Sequence, residues 1–171
     1  MQRTQRGEGV VGRIESETVL SSVAAGFVMG LSEVIASVLS GQSPLLPLRS
    51  AASIVLREDA FGRDAPMIAL IGVVIHFSIA VMYGFAYGVF NSQLSWTKRV
   101  RGMRQAVLGV AFGVAIWLLD FQFIGRLFYP WLLDHSQVVQ LGIHAFGFGL
   151  PLGLLFAERE PPLRVGEKPE P

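Results

Sequence analysis

MIALIGVVIHFSIAVMYGFAYGVF, residues 67–90, decides the fold. A helix needs about 20 predominantly apolar residues to cross a bilayer, and this run supplies them. It holds one imidazole, His76, in its first half and a Gly-x-x-x-Gly pair, Gly84 and Gly88, in its second. An ionisable side chain is costly in hydrocarbon and marks a functional candidate. Small residues at i and i+4 let helix backbones approach closely.

Three further runs repeat this composition, at about 19–40, 105–124 and 138–157. The 171 residues are 51% hydrophobic and only 16% charged, with a mean hydropathy of +0.50. That is too apolar for an ordinary soluble domain of this length. The expected architecture is therefore all-α: an integral membrane four-helix bundle over 19–157, with polar tails at 1–18 and 158–171. There is no cysteine, which excludes disulfides, thiolate metal sites and a cysteine nucleophile. Nucleic acid is not an expected partner. The run at 19–40 exceeds a signal-peptide core and lacks a small-x-small cleavage site, so it is read as a retained span.

Basic residues sort with threading. Arg3, Arg6 and Arg13 precede the first span, Lys98, Arg99, Arg101 and Arg104 fill the second connection, and Arg159, Arg164 and Lys168 follow the last span. Only Arg49, Arg57, Arg63 and Arg126 fall on the other side, with Glu58, Asp59 and Asp64 beside three of them. The positive-inside rule then places both termini in the cytoplasm. Phe128, Tyr129 and Trp131 suit the outer headgroup level and Trp96 the inner one. In the long connection 41–66, Pro44 and Pro47 can open a helix whose Leu48, Ala52, Val55 and Leu56 share a face, with Arg49, Ser53 and Arg57 elsewhere. A short interfacial helix, acting as a lid, is expected there.

With this threading, Glu33, His76, Asp120 and His144 all fall in the outer half of the bundle. A rise of about 1.5 Å per residue puts three of them roughly 9 to 14 Å deep, and Asp120 about one turn shallower. The inner half carries glycine pairs in every span: Gly26 and Gly30, Gly84 and Gly88, Gly109 and Gly113, Gly149 and Gly153. In the first and third spans the glycines share a face with the carboxylate, so Glu33 and Asp120 should face inward. His76 shares its face with Tyr83 and Tyr87. Gly149 and Gly153 fall roughly opposite His144, and Pro151 is a candidate kink. The two layers together imply a bundle pinched at the cytoplasmic end, with an outward-facing pocket on Glu33, His76, Tyr83, Asp120 and His144. Carboxylate and histidine hairpins in sequence also hint at a parallel internal duplication.

Four uses of such a cluster compete. The groups can satisfy one another and fix helix register; they can bind a ligand or couple protons to transport, with Glu33 exchanging protons with His76 or His144. His76 and His144 can ligate a haem b iron from diagonal spans. Glu33, His76, Asp120 and His144 can form a transition-metal site. Asp134 and His135 are read as solvated loop residues, and enzymatic chemistry is the least expected outcome. The favoured reading is a small non-enzymatic subunit or binding module in the lipid bilayer, with enough exposed helix surface for a homo-oligomer or a larger membrane complex.

The stretches GQSPLLPLRSAASIVL, HFSIAVMYGFAYG, LLDFQFIGRLFYPW and HAFGFGLPLG, in that order, resemble small bacterial membrane proteins of the YagU-like and related four-helix families. The resemblance spans roughly residues 20 to 157. It implies a multi-pass protein of the bacterial inner membrane, with His76 and His144 among its characteristic positions. Asp120 stands where many relatives are expected to carry an amide. Some relatives are labelled sodium:proline symporters, yet four helices lack the inverted repeats and paired broken helices of such transporters.

Overall fold

The computed structural model describes residues 2–62, 65–93 and 102–159. Arg63, Asp64, the second connection with Trp96, Lys98, Arg99 and Arg101, and the C-terminal tail from 160 onward lie outside the described residues. Among the described residues every regular element is a helix, without a strand. Four helices are long and apolar enough to cross a membrane: Thr18–Leu39, Pro66–Asn91, Met103–Phe128 and Gln137–Glu158, here spans 1 to 4. The first continues backward as one helix from Gln2, so the polar N-terminal segment extends span 1.

Span 1 ends because Gly41 takes a left-handed conformation, φ +72°. Its N–H reaches the carbonyl of Val38 at 3.0 Å, and that of Gln42 reaches Ser37 at 2.9 Å. Those two bonds are a Schellman closure, which glycine makes without Cβ strain. The chain then enters a crossbar helix, Leu46–Leu56, with Pro47 in its first turn, where a missing N–H costs nothing. The expected helix in this connection is present, but its buried face differs. Ala52 and Ser53 are buried, while Val55 is 61% exposed. Ala52 packs with Ala60 and Ile68, supported by Leu56 and Ile71. Gly72 of span 2 permits this seat, because a Cβ there would collide with the Leu48 carbonyl.

The spans pack as two hairpins joined through spans 1 and 4, whereas spans 2 and 3 meet chiefly by long side chains. At the span 3–4 crossing, a Cβ on Gly109 would strike the carbonyl of Gly149, and one on Gly149 would strike that of Gly109. Likewise, Cβ atoms on Gly113 and Gly153 would meet the carbonyls of His144 and Gln105. Between spans 1 and 2 the approach is through side chains: Gly26 faces Ala80, Gly30 faces His76 and Gly84 faces Ser22. The core of this half gathers Ala25, Ala80, Tyr87, Ile116, Phe148 and Leu152, with Phe112 and Phe156 against it. Tyr87 stacks edge-on to Phe112 and Phe156 at 5.1 and 5.0 Å. Its hydroxyl donates to Gln105 Oε1 at 2.8 Å, and Gln105 Nε2 donates to Asn91 at 3.1 Å.

Spans 3 and 4 are not uniform α-helices. Leu118–Gly125 and Ile143–Gly149 are π-helical, with the hydrogen-bond ring widened by one residue. In span 4 the widening precedes Pro151, which has no N–H to give and whose ring crowds the carbonyl four residues back. In span 3, Gly125 lies 2.9 Å from the Asp120 carbonyl at its would-be Cβ, so a larger residue would press on the widened turn.

Candidate functional site

Between the crossbar helix and the aromatic core lies a cavity of about 750 Å³, bordered by all four spans and by both connections at that end. The five side chains expected to form a pocket, Glu33, His76, Tyr83, Asp120 and His144, all line it. Its size falls in the range of small-molecule sites.

Each is held differently. The Tyr83 hydroxyl donates a short hydrogen bond to Asp120 Oδ1, bridging spans 2 and 3 at the cavity wall. His76 donates from Nε2 to the Gly26 carbonyl of span 1 at 2.8 Å, its ring edge-on to Phe77 at 5.3 Å. His144 is 3% exposed; it donates from Nδ1 to the Gln140 carbonyl at 2.8 Å and stands edge-on to Phe121 at 5.4 Å. Glu33 has no side-chain partner among the described residues. Gln140, also in the lining, has its Oε1 buried without a partner.

Several sequence expectations change. The depth of Asp120 differs with the neighbour: its partner Tyr83 lies seven positions further along span 2 than His76, while Gly113, seven positions before Asp120 in span 3, meets the His144 carbonyl. Span 3 itself continues to Phe128, past residue 124. Gly149 is not opposite His144. Five positions apart they would sit about 140° apart on an α-helix, but the π-helical turns bring both into the buried side of span 4.

Against the haem reading, His76 Nε2 is engaged with the Gly26 carbonyl. Among the described residues, no three histidine, aspartate or glutamate side chains are placed to hold one metal ion, so Glu33, His76, Asp120 and His144 share a cavity without forming a ligand set.

His135 is also not a solvated loop residue. It lines the cavity with Asp134, and its Nε2 is hydrogen bonded to Ser50 Oγ of the crossbar helix at 3.0 Å. Burial pushes its pKa below the usual 6.5, against the pull of the neighbouring Asp134 carboxylate. The same loop fastens the crossbar elsewhere. Trp131 Nε1 donates to Ser53 Oγ at 2.9 Å and the Tyr129 hydroxyl to the Ile54 carbonyl at 3.2 Å. Arg57, at a strained φ of +57°, lays its guanidinium 4.9 and 5.2 Å from the Tyr129 and Trp131 ring centres. A cation over such rings gains electrostatic attraction. No signal in the sequence tied residues 129–135 to residues 50–57, because the contact joins distant segments.

Comparison of the chain with protein-family models, curated proteins and solved structures found no match.

Proposed function

We propose that the chain is a multi-pass membrane protein, with both termini cytoplasmic, that works as a non-enzymatic binding module through the cavity beneath its crossbar helix. The observation that carries this reading is the cavity itself: it gathers Glu33, His76, Tyr83, Asp120 and His144 around one space. Its far end is closed by Tyr87, Phe112, Phe156 and the Gln105 hydrogen bonds. A closed floor supports binding over passage through the bundle. Membrane insertion is supported by the outward faces, where Leu20, Phe27, Leu31, Leu70, Val74 and Val89 are exposed; such apolar surface is stable only against lipid or a partner. Insertion in a bacterial inner membrane follows the resemblance to the YagU-like families, and the glycine pairs then act as lipid-phase packing faces.

The absence of native cysteine makes the topology simple to test. In right-side-out vesicles, an impermeant maleimide is expected to label Glu58→Cys, in the connection beside the crossbar, and to spare Thr97→Cys in the second connection. The opposite pattern would refute the proposed sidedness.

A further inference from the structure

We infer that the cavity takes a protonated primary or secondary amine carrying a compact apolar or aromatic body, with Glu33 as its counter-ion. This rests on the binding-module reading above.

The carboxyl and imidazole side chains lining the cavity are Glu33, Asp120, Asp134, His76, His135 and His144, and no lysine or arginine lines it. The nearby cations are occupied elsewhere. Arg49 donates to the carbonyls of Ala60 and Phe61 at 2.9 and 3.0 Å, and Arg57 lies over Tyr129 and Trp131.

Four of the donors at the cavity wall are already engaged. The Tyr83 hydroxyl is given to Asp120, the Nε2 proton of His76 to Gly26, the Nδ1 proton of His144 to Gln140, and the Ser37 hydroxyl to Ser43 at 2.7 Å. Among the groups left open are acceptors: the Glu33 carboxylate, the second oxygen of Asp120, and the buried Gln140 Oε1, without a partner among the described residues. A buried acceptor without a donor is costly, and a carboxylate away from water is more so. A ligand bearing several N–H donors and a positive charge answers both, which an alcohol, a carboxylate or a quaternary ammonium does not. The remaining wall is apolar and aromatic, with Met29, Ile79, Ile116, Phe121 and Phe148. Such rings suit an apolar body and attract a neighbouring cation.

The test uses the full chain in lipid nanodiscs, with empty nanodiscs as the partition control. The probes are phenethylammonium, 2-phenylethanol, phenylacetate and the N-trimethyl analogue of the amine. Calorimetric titration is expected to show the primary amine binding at least about tenfold more tightly than the other three. Glu33→Gln should weaken it by at least about tenfold, the scale of losing one partner of a buried charge pair. Glu33→Asp should restore part of that loss. Asp120→Asn, which removes a second acceptor charge while keeping its shape, should weaken it less than Glu33→Gln does. If 2-phenylethanol, phenylacetate or the trimethyl compound binds as tightly as the amine, or if a folded Glu33→Gln protein binds the amine unchanged, the amine assignment is overturned while the binding cavity stands. If none of the four probes binds, both readings are overturned.

Discussion

At the scale of single residues, the contact between Tyr83 and Asp120 has the most to do, because it is the polar link between spans 2 and 3 at the cavity, apart from the Tyr87, Gln105 and Asn91 bonds at the other end of that seam. A hydrogen bond between membrane helices is worth of order 1 kcal/mol, and bonds to charged groups reach somewhat more. Tyr83→Phe and Asp120→Asn are each expected to destabilise the protein by about 1 kcal/mol, and the double variant by little more than either alone. Unfolding titrations of all four proteins measure this coupling; strictly additive losses would show that the two side chains act separately.

The sequence made these residues visible by type and depth, since a carboxylate or imidazole stands out in an apolar run. It did not reveal their partners. Whether His76 faces His144 or a backbone carbonyl depends on ring orientation, and the bond to Gly26 was out of reach of any spacing argument.

At the scale of elements, the four spans and the short helix after Pro47 were legible because hydrophobic length and proline position act locally. The π-helical turns were not. They arise from Pro151 acting back on its own helix and from the space left by Gly125, and they change which residues share a face.

Glycine spacing was legible too, but the use of each glycine depends on the neighbour it meets. Gly149→Ala drives a Cβ into the Gly109 carbonyl, so a loss of about 1–3 kcal/mol is expected. Gly142, in the same span, has nothing within 4 Å of its would-be Cβ; Gly142→Ala should be neutral or stabilising by about 0.5–1 kcal/mol. Equal losses at the two sites, read by thermal unfolding, would contradict the packing at the crossing.

The crossbar helix is the element whose attachment responds to pH. His135 has a folded-state pKa below its ordinary 6.5, so the folded state favours the neutral imidazole. Its contribution is fully present above about pH 6.5 and is lost as pH falls from there toward the depressed value. The groups facing this ring are Ser50 and Asp134. Hydrogen exchange of the crossbar amides is expected to quicken as pH falls through this window, after correction for the intrinsic rate. In His135→Gln that added dependence should vanish; if it persists, another group controls the attachment.

At the scale of the whole molecule, two opposed surfaces organise the account. The outside is apolar along the spans, and the acidic and imidazole side chains of the inside gather at the end roofed by the crossbar, with the Tyr87–Gln105 pair at the other. Sequence reasoning reached this division through the positions of charge and glycine, because burial in lipid leaves few places for either. The cavity's roof and its donor-acceptor balance came only with tertiary contacts.

The most direct measurement places a single cysteine on the cavity side of each span, at Ala36, Ile79, Ile124 and Val139, and on outward positions Ile35, Val74, Leu119 and Phe146. Reaction of each with a small, charged, water-soluble thiol reagent is then followed in bilayers. The account predicts that the four cavity positions react and the four outward positions do not, since a thiolate does not form in hydrocarbon. Reaction at the outward set with silence at the cavity set would contradict it.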